Sequence, residues 1–299
     1  MDKKHDGIRR LTIMSFLFPS FIGFIIFIFI PLVMAVFFSL TNYSGGAKFK
    51  FIGIKNYVVA FADAKFLNSL FLTFKYMAVT VFFQIVIGLV FALFLARPFR
   101  GSTFFRSAFY IPNILSSVAV GLAFMFIFEP SSGLMNGFLK FFNLPTSRWL
   151  ASEKTSLLVI MMVSIWQSVG YYMVLLIGAL QNVNSSLYEA AEIDGAGKIQ
   201  QFIAVTLPGI SPVLFYAITL AVIRGFQAFD YIYVMTGGQQ GGGPAGSTNV
   251  LAFDIYRNAF MYYRFGFASA ESVVLLIIIL TVTLIQNYGQ KKWVVYDIV

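Results

Sequence analysis

"SSLYEAAEIDGAGKIQQFIAVTLPG" runs from Ser185 to Gly209 and lies between two long apolar blocks. A turn between membrane spans needs only a few polar residues, and this segment carries far more structure than that. Ser186 followed three residues later by Glu189 has the spacing of a capping box, in which hydroxyl and carboxylate satisfy the first free amides of a helix. "LYEAAEI" then continues with good helix formers, and Glu189 and Glu192 fall where the helix dipole favours carboxylates. Asp194-Gly195 is a stop signal, "KIQQFIAVT" reads as a second short helix, and Leu207-Pro208 opens the next span with proline in its first turn. The pattern predicts two short helices bent at Gly195 or Gly197. Ala190 and Ala191 expose little side chain, so another backbone can come close. Leu187, Ile193, Ile199, Phe202 and Ile203 supply apolar anchors. Glu189, Glu192 and Asp194 carry the charge sign that anionic lipid repels, so the pair suits a groove on a partner protein better than the membrane surface.

Of the 299 residues, 59% are hydrophobic and 11% charged, against about a quarter charged in soluble domains. The expected class is therefore an integral membrane protein. There is no Cys and one His, His5, which excludes disulfides and thiol chemistry and predicts no metal site. The net charge of +9 resides in Lys and Arg beside apolar blocks. It reads as topological anchoring and contact with acidic membrane lipid, not as a nucleic-acid surface. Lys3, Lys4, Arg9 and Arg10 precede an apolar stretch, Leu11 to Leu40, that is too long for a signal-peptide core and reads as a retained first span.

Six blocks are long and apolar enough to cross a bilayer: Ile13–Ser39, Ser69–Ala96, Phe104–Phe128, Thr155–Leu180, Leu207–Met235 and Ala268–Asn287. The expected fold is all-α and polytopic, with six transmembrane helices and a docking helix pair. Residues 1–12 form an N-terminal segment, 13–290 the six-span domain with its docking loop at 182–208, and 291–299 a C-terminal tail. Lys3, Lys4, Arg9, Arg10, Arg97, Arg100, Arg106, Lys198, Lys291 and Lys292 then share one side, in short segments close to span ends. That places both termini in the cytoplasm. "TGGQQGGGPAGST" lacks the lysine and spacing of a phosphate-binding loop, and Gly195–Gly197 follows no strand, so no nucleotide site is expected in this chain.

"EAAEIDGAGKIQQFIAVTLP" resembles the docking loop of binding-protein-dependent ABC permeases, with Glu189-Ala190-Ala191, Gly195 and Val205-Thr206-Leu207-Pro208 at the family's positions. The "IDGAG" form with Phe202 is similar to the carbohydrate-uptake, maltose-type branch. "GIKNY" (Gly53–Tyr57), "GSTFFRSAFYIPNILSSVAVGLAF" (Gly101–Phe124), "GLMNGFL" (Gly133–Leu139), "FDYIYVMTGG" (Phe229–Gly238), "STNVLAFDIYRNAF" (Ser247–Phe260) and "GFASA" (Gly266–Ala270) match in order. Two features depart from the pattern. The best-known maltose permease has extra N-terminal spans and a large outside domain, and the glycine loop here is longer than usual.

The resemblance implies a permease subunit of a bacterial inner-membrane importer that takes up a sugar or oligosaccharide. Its implied partners are a homologous second permease, two ATPase subunits that bind ATP and Mg, and an extracellular or lipid-anchored solute-binding protein. Glu189, Ala190, Ala191, Asp194, Gly195, Phe202, Leu207 and Pro208 would meet the ATPase. Polar groups inside spans are costly and face the interior or a pathway. On that ground, and by the resemblance, the sugar route takes Trp166, Gln167, Gly170 and Met173 from span four and Arg224, Gln227, Phe229, Asp230 and Tyr233 from span five. Aromatic faces suit sugar C–H surfaces, and amides and carboxylates suit hydroxyls. Glu271, at the start of span six, could partner a base such as Arg224. The competing readings are an importer of a non-sugar solute such as glycerol phosphate, which calls for several inward basic groups, and a secondary transporter, which calls for an inverted repeat.

Overall fold

The computed structural model describes residues 3–97, 99–238 and 241–295. The sequence-predicted tail at 291–299 is thus described only to 295, and the glycine loop lacks 239–240. The helices, in chain order, are α1 (Lys3–Phe24), α2 (Ile30–Ser39), α3 (Lys55–Ala62), α4 (Ala64–Leu95), α5 (Ser102–Ile114), α6 (Ser117–Ile127) and α7 (Leu134–Phe141). They continue as α8 (Ser156–Gln181), α9 (Ser185–Ile193), α10 (Lys198–Gln201), α11 (Leu207–Phe226), α12 (Asp230–Met235), α13 (Leu251–Tyr256) and α14 (Phe265–Gln290). Among the described residues the β pairing is one isolated bridge, Thr41 with Phe51. Five helical stretches are long and apolar enough to cross a membrane: Ile13–Ser39, α4, α8, Lys198–Phe226 and α14.

The sixth candidate span, expected over Phe104–Phe128, is not one continuous helix. It is broken into α5 and α6, which meet at 95°. Pro112 lies within α5, where it offers no amide to the preceding turn, and Leu115 is extended (φ −69°, ψ 146°). The fifth block also ends early: α11 stops at Phe226, and the backbone leaves helical geometry at Phe229 (φ −141°, ψ −54°) before α12 begins.

Two π-turns share one cause. Ile25–Phe29 precedes Pro31, and Phe202–Thr206 precedes Pro208. A proline ring collides with the carbonyl four residues back, and widening that turn relieves the collision without ending the helix. The "KIQQFIAVT" segment is therefore not a separate short helix. It is the continuous beginning of the span that reaches Phe226.

The chain divides into two compact units, residues 1–63 with 255–274 and residues 64–254 with 275–299. In the first, the Asn56 carboxamide donates to the carbonyls of Ser39 and Thr41, both at 2.8 Å. These bonds tie off the free end of α2. Glu271, fully buried, accepts from Asn258 Nδ2 of its own unit at 3.1 and 3.0 Å.

In the second unit, α4 and α8 bury Ile85, Ala92, Tyr172, Met173 and Leu176 between them, with Leu214, Ala217 and Ala221 of α11. A second cluster gathers Leu72, Tyr76, Val159, Ile160, Ile232 and Phe253. Arg106 donates through Nη2 (2.6 Å) and Nε (3.1 Å) to the Leu95 carbonyl, placing a cation on the negative end of α4. The tail from α14 lies on α11: the Val295 amide donates to Ser211 Oγ at 3.0 Å, and Trp293 sits edge-on to Phe215.

Helix α5 meets α8 at Gly170, where a Cβ would run into the Phe109 carbonyl. Nothing lies within 4 Å of a Cβ at Gly178 on the same helix. Gly170→Val is expected to destabilise the detergent-solubilised protein by about 3 kcal/mol. Gly178→Ala should leave the thermal midpoint unchanged or raise it by the equivalent of about 1 kcal/mol. Thermal unfolding of both variants measures the difference.

Candidate functional site

The polar side chains of the spans meet in a cavity of about 340 Å³ inside the second unit. Helix α4 contributes Tyr76, Thr80 and Gln84, and α8 contributes Ser164, Gln167, Ser168 and Tyr172. Each set recurs at helical spacing, so each is one polar stripe on an otherwise apolar helix. The two helix breaks supply the rest: Asn113, Leu115 and Ser117 at the α5–α6 bend, and Arg224, Gln227, Phe229, Asp230 and Tyr231 where α11 gives way to α12. Arg224 and Asp230 are six residues apart and would diverge on a straight helix; the break brings both to one cavity.

The groups are held in place by one another. The Gln167 carboxamide donates to the Leu115 carbonyl at 2.9 Å, satisfying backbone that the bend frees. Gln84 reaches the Ser164 carbonyl at 3.4 Å, and Thr80 Oγ1 returns its proton to the Tyr76 carbonyl at 2.7 Å. The Arg224 guanidinium lies over the Tyr171 ring, 4.8 Å from its centroid, a cation–π contact that strengthens away from water. Thr80, Gln84, Gln167 and Tyr172 are buried, while Arg224, Gln227 and Asp230 are exposed. The cavity thus offers carboxamides, hydroxyls, one cation and one carboxylate, with aromatic walls. That combination can hold a polyhydroxylated solute by paired donors and acceptors.

Of the nine sequence-predicted pathway residues, Gln167, Arg224, Gln227, Phe229 and Asp230 line this cavity. Four do not. Trp166 packs edge-on against Phe124 and, with Gly170, faces an apolar groove formed by α4, α5 and α8. Met173 is fully buried in the core, and Tyr233 stacks on Phe229 at 5.4 Å. On α8, Trp166, Gly170 and Met173 lie on the face nearly opposite the cavity, and of the four expected residues of that helix Gln167 reaches it. Gly170 is small because α5 crosses there, and the polar face runs through Ser164, Gln167, Ser168 and Tyr172. The stripe on α4 was missed, although Tyr76, Thr80 and Gln84 stand out in an apolar run.

The segment quoted at the outset forms a helical hairpin. Its cap is not Ser186: Asn184 is the N-cap, and its Oδ1 accepts from the Ser186 amide at 3.0 Å. Gly195 has φ +76°, the left-handed conformation that glycine adopts at least cost. There the Ala196 amide donates to the Ala191 carbonyl at 2.8 Å, closing α9. Gly197 is extended, and its amide donates to Gln200 Oε1 at 2.8 Å. The bend is therefore at Gly195. Tyr188 Oη and Thr206 Oγ1, 2.9 Å apart, hold the two arms together. Glu189, Ala190, Asp194 and Gly195 are exposed, and Ala191, Phe202, Leu207 and Pro208 are half-buried. Ile193 and Ile199 are 87% and 77% exposed, an apolar tip that the other described residues leave uncovered.

Residues 84–294 match the family described as the binding-protein-dependent transport system inner membrane component. The probable ABC transporter permease protein YurN of Bacillus subtilis is 38% identical over 276 residues, covering 91% of this chain and 93% of that protein. The multiple sugar-binding transport system permease protein MsmF of Streptococcus mutans is 34% identical, covering 93% and 95%. A chain in the crystal structure of a bacterial alginate ABC transporter, in complex with its alginate pentasaccharide-bound periplasmic protein, superposes with a TM-score of 0.85 over 98% of both chains. At 21% identity, that likeness speaks for the fold. On the family match and these relatives, the chain belongs to the inner-membrane permease components of binding-protein-dependent transport systems.

Proposed function

We propose that this chain forms one half of the translocation path of an ATP-driven importer for a sugar or oligosaccharide. The observation that carries the reading is the cavity joining Gln84, Gln167, Gln227, Arg224 and Asp230 at two helix breaks. Carboxamides and a carboxylate match sugar hydroxyls, and the aromatic walls match its C–H faces. The relatives named for sugars support the same solute class. A single cation, Arg224, is one basic group where an anionic solute such as glycerol phosphate calls for several.

A homologous second permease closes the path, and a solute-binding protein supplies the sugar on the side away from the hairpin. Two ATPase subunits bind ATP and Mg and grip the hairpin at Glu189, Ala190, Ala191, Asp194, Gly195 and Phe202. Leu207 and Pro208 lie where the hairpin becomes the span. Both termini and the hairpin face the cytoplasm. Force on α9 passes through the Tyr188–Thr206 contact to the helix from Lys198 to Phe226, which is unbroken and carries Arg224 about 40 Å from its start.

Two variants test separate halves of this reading. Asp230→Ala should lower ATP-driven sugar uptake in reconstituted vesicles about ten-fold, the effect of removing one partner of a buried hydroxyl, while the assembled complex is still recovered. Unchanged uptake would remove Asp230 from the path. Gly195→Val has room for its side chain but must hold a β-branched residue at φ +76°, at a cost of about 1–2 kcal/mol. It should lose co-purifying ATPase with the spans still inserted. Gly197→Ala, at an extended backbone position, should retain the ATPase. Equal ATPase recovery from both variants would count against the hairpin as the grip.

A further inference from the structure

Helix α7 has the opposite polarity to that expected of a loop helix exposed to water. Leu134, Phe138, Phe141 and Phe142 recur at i, i+4, i+7 and i+8, and they are 74%, 58%, 81% and 55% exposed. The Phe138 and Phe142 rings are 4.8 Å apart and the Phe141 and Phe142 rings 5.2 Å apart, so the aromatic groups touch each other. The opposite face holds Met135, packed against the core, and Asn136, 2% exposed.

The roll of the helix is fixed by Asn136. Its Nδ2 donates to the carbonyls of Pro130 and Ser147, both at 2.8 Å. Its Oδ1 accepts from the Ser147 amide at 3.2 Å and from Trp149 Nε1 at 2.7 Å. Two donors and two acceptors exhaust the carboxamide. Rotating α7 to hide its apolar stripe would break all four bonds at a buried site.

The position of the helix relative to the end of α6 is fixed by the turn before it. Helix α6 ends at Ile127, and α7 begins seven residues later. Glu129 Oε2 accepts from the amides of Ser132 (2.6 Å) and Ser131 (2.8 Å) and from both hydroxyls. These bonds, that to the Ser132 amide foremost, hold its carboxyl down to about 2, so it stays ionised and the turn stays tied. The Gly133 amide closes on the Glu129 carbonyl at 3.0 Å. The chain therefore cannot run out into water between the span and α7. Phe126, near the end of α6, is also 69% exposed.

We infer that α7 is an interfacial anchor: its Leu134–Phe138–Phe141–Phe142 face lies in the acyl–headgroup boundary of the leaflet opposite the 185–206 hairpin, and its occupant is lipid. A short helix with one apolar face and a cationic flank, here Lys140, suits that depth. Held there, α7 would pin the end of the bent α5–α6 segment against the bilayer.

The chain has no Cys, so single cysteines can be labelled without background. Phe138→Cys, Phe141→Cys and Lys140→Cys, each carrying the fluorophore NBD, are reconstituted as full chains in phosphatidylcholine vesicles with lipid doxylated at carbon 5 or carbon 12. Positions 138 and 141 should show blue-shifted emission and about two-fold stronger quenching by the shallow nitroxide than by the deep one, with position 140 quenched least. Equal, weak quenching at all three positions would overturn the inference. So would a blue shift at 138 and 141 that appears only when solute-binding protein is added, which would assign the face to a protein partner. None of these outcomes depends on sugar transport, so the test is separate from that of the transport reading.

Discussion

A charge inside a bilayer must face either a partner or water, because neither lipid nor an apolar core repays its lost hydration. This chain carries Arg224 and Asp230 within its apolar blocks, along with Gln84, Gln167 and Gln227. The second unit answers that constraint by collecting all five on one cavity. Collecting them requires that two helices break, at Leu115–Ser116 and at Gln227–Phe229. The breaks free backbone groups in turn, and the cavity's own side chains take these up, as Gln167 does for the Leu115 carbonyl. Polar content and broken helices are thus one solution, and each would be costly without the other.

The same economy links the cavity to the hairpin. Proline at 208 could have ended a helix and left the hairpin hinged. A π-turn over Phe202–Thr206 absorbs the ring instead, so one helix runs from Lys198 to Phe226. The bend of the hairpin is at Gly195, where the left-handed backbone separates α9 from that helix. Displacement at Ile199 can therefore be passed to Arg224 along one helix, while Ile193 lies beyond the Gly195 bend and is tied to that helix through Tyr188 and Thr206.

Much of this was legible in the sequence, and the limits have physical causes. Apolar length marks the spans because the bilayer sets a single thickness. Gly195 marks the bend because few residues tolerate positive φ. Composition does not show whether Pro112 kinks a helix or ends it, and α5 and α6 accordingly read as one straight block. Nor does it show which side of a helix a glycine serves. Gly170 reads equally well as room for a solute and as room for a neighbouring backbone, and Phe109 makes it the second. That ambiguity draws the reading of α8 to the face opposite the cavity, and its polar counterpart Tyr76–Thr80–Gln84 on α4 goes unread. The cap falls on Asn184 instead of Ser186 because either residue can serve, and the helix begins two residues earlier than the Ser186–Glu189 spacing suggests.

The central claim is that the Arg224–Asp230 cavity is reached by water and by the transported solute. The most direct measurement uses Gln227→Cys in the otherwise cysteine-free chain, assembled with the proposed ATPase subunits in vesicles and exposed to a membrane-impermeant thiol reagent. Position 227 should react, and reaction should slow when ATP and sugar-loaded binding protein are supplied. Leu158→Cys, in the apolar groove, should stay unreactive. Position 227 that never reacts, with or without ATP, would contradict the account.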